Sequence, residues 1–223
     1  MNSLIIVESH NDKYFIEKLR DELGLTNIKI DEPICNIHDY ECLNGLSETK
    51  LKQILKEIKF DHYQKIGIII DADNEGIEKR IDLINSCIRT LEDVSSDFTI
   101  TKINEFIKIE SLDGVEIGCY ITNVDGNGEL ETVLKAIKSQ DSTYADCLEA
   151  WKTCLTSKGK TTTDKDFDKF WVNNYLRFDT CTKQEQKQAD KNCKNEVAIK
   201  KDIWDFKNPI LYDLKEFIKK LNQ

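Results

Sequence analysis

The sequence predicts an α/β fold in which an open, doubly wound and mostly parallel sheet is flanked by helices. Three observations support this prediction. Strand-like runs alternate with helical patterns over the first 140 residues. Lys65 to Asp71 is a continuous apolar, β-branched run of the kind that parallel sheets bury on both faces. The 223 residues include only 9 Gly and 2 Pro, which favours long helices over many-turned all-β architectures.

The first predicted elements are a short strand and an amphipathic helix. Leu4–Val7 is apolar and partly β-branched, and Ser9 is a suitable cap for a helix. Apolar residues then recur at helical spacing, and Gly24 is the expected end of that helix. Weaker β patterns cover residues 28–30 and 34–37.

The middle of the chain repeats this alternation. Ser47 is predicted to cap a helix with one apolar face, and the Lys65–Asp71 strand follows it. Apolar residues between Ile77 and Leu91 recur at helical spacing, and Val115–Ile121 is the next predicted strand. A polar loop at 123–128 leads from that strand into another helical pattern.

The rest of the chain is predicted to be mainly helical. Residues 141–201 carry little β pattern, and apolar residues from Leu211 to Leu221 predict a C-terminal helix. No internal repeat or Pro/Gly/Ser-rich linker interrupts the sequence. We therefore expect an α/β core at residues 1–140 and a helical extension at 141–223 that packs on it.

Charge is distributed unevenly along the chain. In total, 32 Lys and Arg oppose 41 Asp and Glu, which gives a net charge of −9. Residues 1–150 hold 16 basic and 30 acidic side chains (net −14), whereas residues 151–201 hold 12 and 7 (net +5). This division excludes tight, metal-free binding of a polyanion across the whole surface. The Lys-rich run 183–201 is either a contact for a nucleic-acid backbone or a solvated helix face.

No feature of the sequence predicts export or membrane insertion. Met1–Val7 lacks a basic n-region and meets Glu8 too early for a signal peptide, and no apolar run approaches the roughly 20 residues of a membrane helix. We expect a cytoplasmic protein without a membrane partner. The eight cysteines match no zinc template and are interpreted as reduced thiols, and His10, His38 and His62 lack the spacing of metal ligands.

Acidic side chains follow two of the predicted strands. Glu8 follows the first strand, and Asp71 and Asp73 stand at the end of the strongest one. Ligands of open α/β sheets bind beyond the carboxyl ends of the strands, so these three carboxylates are expected to converge there. A divalent cation such as Mg²⁺ would relieve their repulsion. Alternatively, Asp71 caps the next helix, Asp73 favours its positive end, and Glu8 is a surface acid.

These segments resemble the two motifs of the Toprim domain, which topoisomerases, bacterial primases, recombination-repair proteins and overcoming-lysogenization-defect (OLD) nucleases share. The first motif is similar to Ile5–Ser9 with Asp12 after it, and the second to Ile68–Asp73. The resemblance implies a Rossmann-like Toprim fold, and it is closest to small stand-alone Toprim-like proteins of unassigned function related to the OLD nucleases. Ser9 departs from the motif, which usually has glycine after the glutamate.

Weaker matches extend this resemblance towards the C-terminus: Gly126–Glu131, Asp168-Lys169 with Tyr175-Leu176, and Trp204–Phe206. The resemblance implies a role for each matching residue. Glu8 would be a general acid/base or metal ligand, and Asp71 and Asp73 would hold Mg²⁺ or Mn²⁺. Glu131 would be an additional acidic ligand, Asp12 a further one, and Lys169 a catalytic lysine that steadies charge on the phosphate.

The favoured hypothesis is therefore a magnesium-dependent nuclease that hydrolyses phosphodiesters in DNA or RNA, with a role in nucleic-acid defence or repair. Nucleic acid would be bound only weakly without metal. One alternative is a non-catalytic Toprim-fold scaffold that acts with a protein partner. A less favoured alternative is a haloacid-dehalogenase-like phosphatase, because that class places its Asp-x-Asp pair on the first strand and not on a later one.

Overall fold

A computed structural model describes residues 2–35 and 46–223, and it confirms the predicted fold class. A five-stranded, mostly parallel sheet is flanked by helices and continues into a helical C-terminal region. The strand order is β2-β1-β3-β5-β4, and β4 runs antiparallel to β5. The strands are Ser3–Val7 (β1), Ile28–Ile30 (β2), Lys65–Asp71 (β3), Phe106–Ile109 (β4) and Val115–Thr122 (β5).

Helices cover both faces of the sheet and make up most of the C-terminal region. The helices that connect the strands are His10–Glu22 (α1), Glu48–Glu57 (α2) and Ile77–Ile88 (α3). The helices after β5 are Leu130–Ala136 (α4), Thr143–Asp146 (α5), Leu148–Ser157 (α6), Asp164–Asn174 (α7), Lys183–Gln186 (α8), Ala189–Asn192 (α9), Asn195–Ala198 (α10) and Tyr212–Leu221 (α11). A π-helical turn, Tyr175–Asp179, continues α7.

The alternation of side chains along β1 separates two apolar cores. Leu4 and Ile6 point to the core that α2 and α3 cover, and Ile5 and Val7 point to the opposite core. The opposite core also contains the buried Trp171 of the C-terminal region. The helical extension therefore packs directly on the sheet and shares one of its cores.

Helix α11 lies against the middle of the sheet at close range. A Cβ atom at Gly67 on β3 would stand 2.9 Å from side-chain atoms of both Phe217 and Leu221. Glycine at this position therefore lets the helix approach the strand. Ser3 at the start of β1 also donates a hydrogen bond to the Leu221 carbonyl at 2.5 Å.

The structure departs from the sequence-based expectations in three places. Strand β4 was not predicted, because it is short and only its last residue is buried. Of the weak β pattern at 34–37, Ile34 and Cys35 form a bend, and the remainder lies outside the described residues, as does His38. The interpretation of all cysteines as reduced thiols is wrong, because α8 and α9 return the chain so that Cys181 and Cys193 form a disulfide with Cα atoms 6.3 Å apart.

Within residues 2–35 and 46–223, no helix combines the length and the apolar character needed to cross a membrane.

Candidate functional site

The carboxyl ends of β1 and β3 lie side by side, as the sequence predicts. These two strands pair in parallel with Val7 opposite Ile69, which places Glu8 beside the end of β3. The Glu8 carboxylate accepts a hydrogen bond from the Asp71 backbone N–H at 3.1 Å, and both acidic residues are buried. Since β2 lies on one side of β1 and β3 on the other, this edge is the crevice where the strand order reverses.

Asp12 joins this edge from the first turn of α1. Ser9 caps the helix, and a single Asp12 oxygen accepts hydrogen bonds from the Ser9 backbone N–H at 2.9 Å and its hydroxyl at 2.5 Å. Asp12 is itself buried. Serine at position 9 therefore holds the Asp12 carboxylate beside the end of β1.

Glu131 reaches the same edge from α4. Its carboxylate accepts a hydrogen bond from the Asn11 side-chain amide at 3.2 Å, and Asn11 in turn accepts one from the Asn195 amide at 3.2 Å. This contact ties the start of α4 to α1 and α10. We refer to Glu8, Asp12, Asp71 and Glu131, all of them buried, as the carboxylate cluster.

Burial and mutual repulsion favour the protonated forms within the carboxylate cluster. Burial raises the pKa of Asp12 to about 7, and the charges of Glu8 and Glu131 act in the same direction. Burial also raises the pKa of Asp71 well above its usual range, with added repulsion from Asp12 and Glu8. The pKa of Glu8 is likewise raised by burial, although the hydrogen bond from the Asp71 N–H opposes the shift.

Within residues 2–35 and 46–223, the carboxylate cluster has no cation in direct contact, although the charges of Arg80 and Lys165 lower the pKa of Glu8 from a distance. Among the described residues, no Lys or Arg forms an ion pair with any of its four members, and the Oδ1 atom of Asp71 is buried without a hydrogen-bond partner. The donor set is therefore suited to Mg²⁺, which prefers hard oxygen ligands. In the part of the chain that the structure describes, however, no three His, Cys, Asp or Glu side chains are close enough to hold an ion as they stand.

Asp73 lies next to this cluster but has cationic partners. Its backbone is in the left-handed region (φ +48°) and forms a two-way backbone bridge with Gly128, with N···O distances of 2.8 and 2.9 Å. Its carboxylate pairs with the Arg80 guanidinium and, at 2.6 Å, with the Lys165 ammonium. The charge of Asp73 is thus neutralised by α3 and α7.

Glu129, at the N-terminus of α4, is the second acid with cationic partners. Its Oε2 lies 3.2 Å from the Lys165 nitrogen and 3.4 Å from that of Lys169, whereas its Oε1 is buried without a hydrogen-bond partner in the described residues. The side chain is only 2% exposed, and burial raises its pKa to about 7 although both lysines oppose the shift. We refer to Asp73, Glu129, Arg80, Lys165 and Lys169 as the ion-pair cluster.

A cavity of about 220 Å³ opens between the ion-pair cluster and the first turn of α7. It lies beside the polar loop that follows β5, where Gly128 adopts φ +96°. The polar residues that line this cavity include Asp73, Asn127, Glu129, Thr132, Lys165 and Asp168. The site therefore combines buried carboxylates with an adjoining polar cavity that contains a lysine ammonium.

The structure brings all six site residues predicted from the sequence to one edge of the sheet. Glu8, Asp12, Asp71 and Glu131 form the carboxylate cluster, and Asp73 and Lys169 belong to the ion-pair cluster beside it. The alternative readings of two acids do not hold: Gly76, not Asp71, is the N-cap of α3, and Glu8 is buried rather than a surface acid.

Sequence analysis missed three members of the ion-pair cluster, namely Arg80, Glu129 and Lys165. Glu129 stands inside the loop segment that was singled out, and Lys165 precedes Lys169 by one helical turn. Their positions next to predicted site residues were the sequence signals that could have identified Glu129 and Lys165. No pattern connects Arg80 or Lys165 with Asp73, because they lie 7 and 92 residues away from it.

The histidines and the Lys-rich run give no further member of the two clusters. His62 belongs to a 3₁₀ turn and is exposed, and His10 stacks on Tyr14 at the start of α1. Along the Lys-rich run 183–201, Lys194 and Lys201 form ion pairs with neighbouring glutamates of the same segment. These contacts are typical of a solvated surface.

Neither a curated protein nor a solved structure matches the chain. One family model does, and it covers residues 2–223, almost the whole sequence. The chain therefore belongs to DUF3226, a family described as proteins of unknown function.

Proposed function

We propose that the protein is a magnesium-dependent nuclease of the Toprim type, related to the OLD nucleases, that hydrolyses phosphodiester bonds in DNA or RNA. One observation carries the proposal: four buried carboxylates lie near enough to repel one another where the strand order reverses, and in the described residues none forms an ion pair. Burying like charges together is costly unless a cation or protons balance them. The resemblance of Ile5–Ser9 and Ile68–Asp73 to the Toprim motifs gives the same assignment.

The members of the carboxylate cluster would hold Mg²⁺ or Mn²⁺, with Asp73 as a further ligand at its border. The bound metal would activate a water molecule, orient the phosphate and neutralise developing charge. The Asp71 N–H orients the Glu8 carboxylate, which suits Glu8 to accept or donate a proton at its other oxygen. The Lys169 side chain, which is 45% exposed, would be available to steady charge on the phosphate.

The wider setting is part of the same proposal. We expect a cytoplasmic enzyme that acts in nucleic-acid defence or repair. Substrate binding without metal would be weak, because residues 1–150, which supply the whole carboxylate cluster, carry a net charge of −14.

The test is hydrolysis of labelled DNA and RNA by the purified protein with Mg²⁺ or Mn²⁺. Glu8→Ala and Asp71→Ala should abolish cleavage, because each removes a buried carboxylate of the cluster. Glu92→Ala, which removes an exposed acid in a turn, is the matched control and should cleave like wild type. Equal background cleavage by all four proteins would contradict the proposal.

A non-catalytic scaffold is the second candidate, and one observation favours it. As they stand, no three acidic side chains of the described residues are close enough to hold an ion. A partner protein would then supply the chemistry. Co-purification of one defined partner, together with no hydrolysis by the isolated chain under either metal, would favour the scaffold over the nuclease.

A further inference from the structure

Helix α6 presents an unusually exposed surface next to the proposed active site. None of its ten residues, all of which the structure describes, is buried. Trp151 on α6 is 41% exposed, and it contacts Phe170 of α7, which is 42% exposed, with ring centroids 5.2 Å apart in an edge-to-face arrangement. Two large aromatic rings therefore form one continuous exposed patch, which we call the aromatic patch. Patches of this kind commonly mark binding surfaces.

Contacts of Lys152 connect the two helices that carry the aromatic patch. Lys152 forms an ion pair with Asp164, the first residue of α7, at 2.8 Å, and its ammonium lies 4.5 Å from the centre of the buried Phe167 ring. These contacts attach α6 to α7. The two helices that carry Trp151 and Phe170 are thus joined to each other, while both rings remain about two-fifths exposed.

The segment of the chain that contains both rings has an excess of basic side chains, which favours a polyanionic partner. Residues 151–201, to which both rings belong, carry a net charge of +5, in contrast to −14 for residues 1–150. Lys158 and Lys160, just after α6, are exposed and have no ion-pair partner within the described residues. On α7, Lys169 directly precedes Phe170 and reaches Glu129, so one helix leads from the patch to the candidate site.

We propose that Trp151 and Phe170 form a stacking platform for the unpaired bases of single-stranded DNA or RNA. This inference rests on the proposed function and specifies its substrate class. Every base has a flat aromatic face that stacks on such rings regardless of sequence, and lysines beside the rings attract the phosphates. A duplex keeps those faces stacked inside its helix, so it would use the lysines but not the rings.

Tryptophan fluorescence tests the platform independently of hydrolysis. Trp171 and Trp204 are buried, so Trp151 is the exposed tryptophan of the three, and a base that stacks on it should quench its emission. The protein is titrated at low salt with oligothymidylate, with oligouridylate and with a duplex of equal length, in EDTA and again in Mg²⁺. We expect quenching by at least one single strand, and comparison of the two strands separates DNA from RNA.

Substitutions then assign the binding to the rings. With a labelled oligonucleotide, Trp151→Ala and Phe170→Ala should each weaken binding about tenfold, whereas Trp151→Phe and Phe170→Tyr should keep most of it. Tyr212→Ala removes a 65% exposed aromatic ring from α11 and is the matched control. Unchanged melting temperatures would show that the alanine variants are folded.

Three results would overturn the inference. The first is an absence of quenching by either strand under both conditions, and the second is equal binding of duplex and single strand. The third is a wild-type dimer that Trp151→Ala dissociates, because a second copy of the chain would then cover the patch. If wild type cleaves nucleic acid but the Trp151→Ala and Phe170→Ala variants bind single strands normally, the platform fails and the nuclease proposal stands. Quenching by single strands without any cleavage would support the platform and contradict the nuclease proposal.

Discussion

The carboxylate cluster and the ion-pair cluster lie at the same edge of the sheet, yet they balance buried charge in different ways. Asp73 and Glu129 each contact one or more cationic side chains, with Lys165 shared between them. Asp71, two residues before Asp73, has no such partner in the described part of the chain, and its pKa is raised well above its usual range by burial and by neighbouring acids. The first cluster therefore needs protons or an external cation, whereas the second is largely balanced by the protein itself.

The two clusters should differ most in how an asparagine substitution in each affects cleavage. Asp71→Asn should lower metal-dependent cleavage by more than about a hundredfold, because it removes charge from the unbalanced cluster. Asp73→Asn should lower it by only about tenfold, because Arg80 and Lys165 already neutralise that carboxylate. Cleavage rates and Mg²⁺ affinities of the two variants provide the measurement. Equal losses would show that Asp73 is as much a part of the metal site as Asp71.

The second prediction concerns stability against pH in the absence of metal. The pKa of Asp12 is about 7 in the folded protein, against 3.8 without the fold, so the folded state holds the proton longer. Between these values the folded state binds more protons than the unfolded state, and stability must fall as pH rises. The raised pKa values of Glu8 and Asp71 act in the same direction. We expect a loss of a few kcal/mol between about pH 5 and about pH 8.

Chemical denaturation at both pH values, with and without Mg²⁺, measures this effect. Mg²⁺ should restore stability mainly at about pH 8, where it replaces the lost protons. The control is Asp71→Asn, in which one ionisable member of the cluster is removed, so both the pH dependence and the metal effect should shrink. A metal-free protein that becomes more stable over this pH range would contradict the described electrostatics of the cluster.

The third prediction removes the cation that the two balanced acids share. Lys165→Met keeps most of the apolar stem but leaves Glu129 without its nearer ammonium, and it deprives Asp73 of one of two partners. We expect a loss of about 1 to 2 kcal/mol, less than for a fully buried pair, because Lys165 is 37% exposed. The matched control is Lys79→Met, which breaks an exposed pair between α3 and Glu75 of the preceding turn and should cost less than about 0.5 kcal/mol. Equal losses would show that Lys165 is an ordinary surface lysine.

The two clusters also differ in how far the sequence predicts them. Glu8 and Asp71 could be placed together because each stands at the carboxyl end of a buried apolar strand, and the register of paired strands fixes which residues lie side by side at their ends. The pairing of Lys165 with Asp73 spans 92 residues and joins a helix to a turn with a left-handed residue, so no periodic pattern encodes it. Strand β4 was missed for a related reason, since a short edge strand with one buried residue has little alternation to detect.

Lys169 gives the smallest predicted change in stability and the most direct test of whether a member of the ion-pair cluster serves chemistry. Its ammonium lies 3.4 Å from Glu129, and 45% of the side chain is exposed, so Lys169→Ala should change stability by less than about 0.5 kcal/mol. A lysine that steadies charge on the phosphate should nevertheless lower cleavage when it is removed, and Lys169→Arg should recover part of the rate because it keeps the charge. Loss of cleavage without loss of stability would assign Lys169 to the reaction. If Lys169→Ala instead lost as much stability as Lys165→Met while cleavage stayed unchanged, both lysines would serve to stabilise the buried Glu129 carboxylate. Another cation would then have to contact the phosphate.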